Sequence, residues 1–233
     1  VPFVVQSSNI IYDYGYGSRD TKGFSLYSYD KEGKRQENIT DWALEKFREY
    51  YKIQNEITKE DIFYYVYAVL HNPEYRKKYE LNLKREFPRI PFYDDFYMWV
   101  KWGKKLMDLH LNYETIKPYK FKIQNSKFKS NQQLKPKLKA DKIKNEIILD
   151  DVTTLTEIPP EVWEYKLGNR SALEWILDQY KEKKPKDPTI AEKFNHYRFA
   201  DYKETVIDLL MRVTTVSIET MKIIKEMEGK DLD

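Results

Sequence analysis

The chain has 233 residues, 41% of them hydrophobic and 15% aromatic, so it can bury a sizeable core and is no disordered or low-complexity polymer. Lys and Arg number 41 against 38 Asp and Glu; as a whole-chain figure, the net charge of +3 argues against a strongly basic nucleic-acid binder. Cysteine is absent, which excludes disulfide frameworks, thiolate metal sites and cysteine nucleophiles and fits a reducing, cytoplasmic setting.

Val1-Pro2-Phe3-Val4-Val5 has neither an initiator Met nor the basic segment of a signal peptide, so a piece of a longer polypeptide is expected. Short strands are expected at Phe3–Val5 and Phe24–Tyr27, around a turn-rich Tyr14–Ser18. Trp42, Leu44 and Phe47 set a helical pattern over about Asp41–Lys52, capped by Asn38 or Thr40. Thr58 and Asp61 approximate a capping box for a helix reaching Leu70. Its apolar run, Ile62 to Leu70, has nine residues, where a membrane span needs about 20, so no membrane partner is expected. Asn72-Pro73 starts another helix, because Pro suits the first turn, and Phe87-Pro88 stops it. A helix follows at about Phe96–Leu111.

From Tyr113 the texture changes. Residues Tyr119–Ile123 and Lys135–Lys139 alternate, and Ile143–Leu149 reads as a strand, so a hairpin is expected. Asp150–Pro160 reads as a turn-rich exit. Helices are expected from Pro160 to Gly168, from Ser171 to Tyr180, over Tyr202–Met211 and over Val216–Met227, with an interruption at the β-branched Val213–Val216. The expected fold is α+β: a helix-rich body with a small antiparallel, lysine-rich β element inserted mid-chain. Residues 1–112 and 150–233 would form the body of a single 1–233 domain, with 113–149 as its basic insertion. Trp42, Phe63, Tyr67, Trp99, Trp102, Trp163 and Trp175 are the expected core aromatics.

Motifs of catalysis are mostly missing. His71, His110 and His196 have no metal-ligand spacing. Gly15-Tyr16-Gly17 lacks the third glycine of a dinucleotide loop, and no phosphate loop of the Gly-Lys-Ser/Thr kind occurs. Asn72-Pro73-Glu74-Tyr75 departs from the Asn-Pro-Pro-Tyr motif that orients a flipped adenine, and it reads better as a helix start. Asp151, Glu164 and Lys166 have the spacing of a metal-dependent nuclease, which needs two acids for the metal and a Lys near the attacking water. In a chain that is 34% charged this spacing arises easily by chance, so a nuclease stays an alternative reading.

Charge placement is more telling than charge total. Residues 117–145 hold ten lysines and one acid, Asp141, for a local charge of +9, which leaves −6 on the other 204 residues. Lysines neutralise phosphates, while Asn and Gln can hydrogen-bond to base edges. The candidate contacts are therefore Lys120, Lys122, Lys127, Lys129, Lys135, Lys137 and Lys139, with Asn131 and Gln132 among them. A solvated hairpin with no ligand would carry the same charge. Asn169 and Arg170, ahead of a helix start, add an anion or guanine contact, or belong to an ordinary cap.

Several long words then point to a family. They are Ile39-Thr40-Asp41-Trp42-Ala43-Leu44, Leu83-Lys84-Arg85-Glu86-Phe87-Pro88-Arg89-Ile90-Pro91, Lys166-Leu167-Gly168-Asn169-Arg170-Ser171-Ala172-Leu173-Glu174-Trp175 and Tyr197-Arg198-Phe199-Ala200-Asp201-Tyr202. With these words the chain resembles the C-terminal specificity domain of Type ISP restriction–modification enzymes, from about Gly23 to Met227. The resemblance implies a target recognition domain that selects a site on double-stranded DNA, next to the methyltransferase domain of the same polypeptide. It implies that adenine-N6 methylation, helicase-like ATPase and nuclease activities lie in other domains. S-adenosylmethionine, ATP and Mg²⁺ would serve the full-length enzyme, and no cofactor is expected in this fragment. A docking module without DNA contact is the blander alternative.

Overall fold

The computed structural model describes residues 3–10, 23–53, 56–126, 135–183, 185–194 and 196–230. They fall into two compact units, Pro2–Asn112 with Ile223–Asp233, and Tyr113–Lys222. The expected Tyr14–Ser18 turn lies outside the described residues.

The first unit opens with a hairpin of β1 (Tyr27–Tyr29) and β2 (Arg35–Glu37). Five helices follow: α1 (Asp41–Tyr51), α2 (Lys59–Val69), α3 (Pro73–Lys78), α4 (Glu80–Leu83) and α5 (Phe96–Leu111). Their starts obey capping chemistry. Thr58 and Asp61 complete a reciprocal capping box, and Asn72 Oδ1 accepts from Tyr75 N at 2.7 Å. Helices α2 and α5 are packed so closely that a Cβ on Gly103 would stand 1.8 Å from the Tyr64 carbonyl oxygen. Only glycine allows that approach. Around it lie Ile62, Tyr65, Val69, Trp99 and Leu106, all buried. Tyr65 Oη donates to Pro91 O and accepts from Tyr93 N, which fixes the segment leading into α5.

The second unit contains a four-stranded antiparallel sheet, in the order β3-β6-β5-β4. Its strands are β3 (Lys122–Asn125), β4 (Pro136–Asp141), β5 (Glu146–Asp150) and β6 (Thr153–Thr156). A 3₁₀ turn (Pro160–Trp163) and a small hairpin of β7 (Lys166–Leu167) and β8 (Arg170–Ser171) lead into α6 (Ala172–Gln179). Then come α7 (Pro188–Phe194) and α8 (Phe199–Met227), whose last turn, from Ile223, belongs to the first unit. The core combines Leu138, Ile147, Leu149 and Leu155 from the sheet with Leu173, Leu177, Val206 and Leu210 from α6 and α8.

Asp150 ties this unit together. It is 3% exposed, and its Oδ1 accepts from Val152 N at 2.8 Å and Thr153 N at 2.7 Å, closing the β5–β6 turn. Its Oδ2 lies 2.7 Å from Lys203 Nζ of α8. Burial alone would raise the Asp150 pKa, but the ammonium and the two N–H donors hold it below the ordinary 3.8.

The α+β class and the mid-chain basic β element are present as expected. Six expectations differ from the fold. Trp42 is 72% exposed and Trp175 38% exposed, so neither is a core residue. Phe47 is the inward side chain of α1, and Leu173 and Leu177, one turn apart, take the inner face of α6. Phe63 is only partly buried. The helix expected from Asn72 to Phe87 breaks at Tyr79 and ends at Leu83. Asp150–Pro160 contains β6, since the carboxylate of Asp150 folds a tight turn and the β-branched Thr run extends from it. Helix α8 runs unbroken through Val213–Val216, where Thr214 and Ser217 hydroxyls donate back to Leu210 O and Val213 O. No strand forms at Phe3–Val5.

The first unit also encloses a histidine pair. The rings of His71 and His110 are 5.3 Å apart, with Tyr67 bonded to both, through its carbonyl to His71 and its hydroxyl to His110. Burial, then the nearby Arg76 charge, pushes His71 well below 6.5 and His110 down to about 4.

Three outcomes follow. Gly103→Ala should cost about 3 kcal/mol in urea unfolding, because the obstructing atom is backbone and cannot swing aside. Asp150→Ala should cost about 3 kcal/mol or more, leaving Lys203 and two amides unpaired, and an unchanged urea midpoint would contradict the role assigned to Asp150. Stability should be full above the unfolded histidine value of 6.5 and decline as pH falls below it, since the unfolded chain takes up protons that the fold refuses, with the His110 share continuing to about 4. His110→Gln should flatten that decline in melting curves; equal slopes for both proteins would refute the assignment.

Candidate nucleic-acid interface

The register decides which side chains share a face of the sheet. Lys139 pairs with Ile148, Ile148 with Thr154, and Thr154 with Gln124. Paired residues project to the same side, so these four form one row across all the strands. The neighbouring row, Ala140, Ile147, Leu155 and Ile123, projects to the other side, where Ile147 and Leu155 are fully buried. The Lys139–Gln124 row therefore lies on the outer face. Lys122, two residues before Gln124, shares it.

Both edge strands carry lysines. On β4, Lys137 and Lys139 are exposed on either side of buried Leu138, whose φ of 43° marks a bulge between Pro136 and Lys139. Proline and lysine on an open edge are also the usual guard against unwanted strand pairing. On β3 all four residues are exposed.

The expected site residues divide by their partners. Lys122 pairs with Glu157 at 3.0 Å and Lys137 with Asp151 at 2.9 Å. Lys142, at the β4–β5 turn, pairs with Glu174 at 2.9 Å. Such exposed pairs contribute about 0–1 kcal/mol, so a phosphate can replace the carboxylate at little cost. Lys120, Lys135, Lys139 and Lys144 make no ion pair among the described residues. Lys127, Lys129, Asn131 and Gln132 lie outside the described residues. Gln124 and Asn125, both exposed on β3, are amides on the sheet that sequence reasoning did not single out; extending the alternation at Tyr119–Ile123 by two residues would have found them.

The β4–β5 turn is braced from several sides. Asp141 Oδ1 accepts from Ile143 N and Lys144 N, both at 3.1 Å. Asn145 adopts φ 55° and accepts from Trp163 Nε1 at 3.0 Å through its side chain and from Ile158 N at 3.1 Å through its carbonyl.

Asn169 is exposed in the turn between β7 and β8, while Arg170 is engaged within its own unit. Its Nη1 is 3.0 Å from Asp178 Oδ2, and its guanidinium covers the Trp175 ring at 5.2 Å. The start of α6 already holds an acid: Glu174 Oε2 accepts from Ser171 N and Ser171 Oγ. Burial works to raise the Glu174 pKa, but the bonds to Lys142 and Ser171 hold it below 4.5. An incoming anion there would meet a carboxylate.

The nuclease alternative finds no support. Asp151 is engaged with Lys137, Glu164 ends the 3₁₀ turn and Lys166 is in β7. Among the described residues, no group of three or more His, Asp or Glu could hold a metal ion.

Residues 1–209 match the family described as "Type ISP C-terminal specificity domain". Among solved structures, the cryo-EM DrdV–DNA complex is 48% identical with a TM-score of 0.91, covering 99% of this chain and 24% of that one. A nuclease-deletion mutant of the Type ISP restriction-modification enzyme LlaGI, in complex with a DNA substrate mimic, is 31% identical with a TM-score of 0.64, covering 89% of this chain and 18% of that one. The ATP-dependent Type ISP enzyme LlaBIII bound to DNA is 29% identical with the same TM-score of 0.64, over 89% and 13%. This chain thus spans a quarter or less of the length of the chains it matches. No curated protein sequence matches it. With the family match running over residues 1–209, the chain belongs to the Type ISP C-terminal specificity domain family.

Proposed function

We propose that this domain selects a site on double-stranded DNA, using the outer face and edges of the β3-β6-β5-β4 sheet. The carrying observation is the set of exposed lysines on and around that sheet that make no ion pair among the described residues: Lys120, Lys135, Lys139 and Lys144. Lys122 and Lys137 join them by exchanging Glu157 and Asp151 for phosphate. Lysine is a flexible point charge, suited to holding a backbone rather than to reading bases. Reading falls to Gln124 and Asn125 on β3, with Asn131 and Gln132 beyond it, because an amide can bond an adenine edge bidentately. Asn169 and Arg170 add contacts from the β7–β8 turn, with Arg170 committed to Asp178 until duplex competes for it. That solved relatives of this chain are DNA complexes supports the reading.

Methylation, ATP-driven translocation and cleavage belong, in this proposal, to other domains of a longer cytoplasmic polypeptide. S-adenosylmethionine, ATP and Mg²⁺ would serve those domains, and the methyltransferase domain is the intramolecular partner. Among the described residues no helix is long and apolar enough to cross a membrane.

The test is the salt dependence of duplex binding by the chain and by its Lys135→Ala/Lys139→Ala/Lys144→Ala variant. Each phosphate contact removed should reduce the slope of log K against log salt by about 0.9, and affinity should fall on all sequences alike. The melting temperature should not move, since these side chains are exposed. An unchanged slope and affinity would remove this sheet from the interface.

A further inference from the structure

Ile143 is out of place by every rule of turn chemistry. It is 95% exposed, at the tip of the β4–β5 turn, between Lys142 and Lys144. Turn tips favour Gly, Asn, Asp, Ser and Pro, and β-branched side chains there gain nothing from packing. Nor is the tip loose. Asp141 holds the amides of Ile143 and Lys144, and Asn145 is gripped by Trp163 and Ile158. The fold thus spends a braced turn on presenting one aliphatic side chain to water.

The surroundings identify what it meets. The register places Lys122 opposite Thr156, two residues before Ile158, whose amide bonds Asn145. Lys122 therefore stands at the same end of the sheet as the tip. An apolar residue between Lys142 and Lys144, with Lys122 at the same end of the sheet, suits a partner that is anionic outside and apolar inside, with phosphate displacing Glu174 from Lys142 and Glu157 from Lys122. Duplex DNA is such a partner, with phosphates along its edge and stacked base faces within.

We propose that Ile143 is a wedge that enters a base step of the bound duplex, partly unstacks it and bends the DNA. The inference rests on the duplex-binding reading above and goes beyond it. Aliphatic wedges inserted between base pairs kink DNA by roughly 20–90°. Lys144 holds one flanking phosphate and Lys142 the other once it leaves Glu174, and the braced turn keeps Ile143 from folding back when it meets the stack. A short branched side chain on a fixed backbone loses little rotamer freedom on insertion, unlike a long flexible one.

The test starts from duplexes that the chain itself enriches from a random-sequence pool. One such duplex is labelled at its two ends with a donor and an acceptor dye. Binding of the wild-type chain should raise transfer efficiency, reporting a bend. Ile143→Ala should bind with the same salt slope, because no charge is lost, yet leave the duplex close to straight. Ile143→Leu should restore the bend. The melting temperatures of both variants should match wild type, as the side chain contacts nothing in the core. A duplex that stays straight on binding wild type, or bends equally with Ile143→Ala, overturns the wedge while leaving duplex binding intact. Failure of the wild-type chain to enrich or bind any duplex overturns the binding reading itself, and the wedge with it.

Discussion

The buried carboxylate of Asp150 is the constraint on which the second unit depends. It ends β5, folds the turn into β6 and anchors the pair to Lys203 of α8. Those strands are the two central ones, so every exposed position on the edges takes its register from them. A slip of one residue between β5 and β6 would put Ile147 and Leu155 on opposite faces and split the Lys139–Gln124 row in the same way. Asp150 prevents it by specifying where the turn begins. The ion pair is retained for geometry more than for energy, since a buried pair roughly balances its own desolvation.

The same economy explains how a chain of net charge +3 can offer a face to a polyanion. The described lysines of residues 117–145 divide into two groups. Some are paired to Glu157, Asp151 and Glu174, which places acids between them and limits their mutual repulsion in the absence of ligand. Lys120, Lys135, Lys139 and Lys144 carry no such partner among the described residues. Mixing exchangeable pairs with unpaired cations keeps the free domain soluble and stable while leaving a positive edge to which phosphates can be drawn.

Much of the helical half was legible in the sequence, because its signals are local. Thr58 with Asp61, Asn72-Pro73 and the apolar stripe of α5 each declare an element within a few residues. The basic β element was legible from alternation and charge. What escaped depended on distant partners. Nothing near Thr153 announces that Asp150 will fold a turn before it, and nothing near Val213 says that its helix is long enough to carry β-branched residues through. Trp42 and Trp175 were misread because size suggests burial, whereas the helix phase set by Phe47 and by Leu173 with Leu177 turns them outward. The candidate site is legible as a basic segment but not as a surface: only the register shows that Lys139 and Gln124, far apart in sequence, share one face.

In the proposed interface, phosphate contacts fall on lysines of edge strands and base contacts on amides, which has a physical consequence for how specificity can change. The lysines are exposed and their ion pairs weak, so they tolerate many targets without altering the fold. Gln124 and Asn125 lie on a strand with no buried side chain, and its partner β6 supplies the register. Substitution there alters what is presented to a groove without touching the core formed by Ile147, Leu149 and Leu155. The structural positions and the proposed discriminating ones are thus on different strands, with Asp150 fixing the first set and leaving the second free to vary.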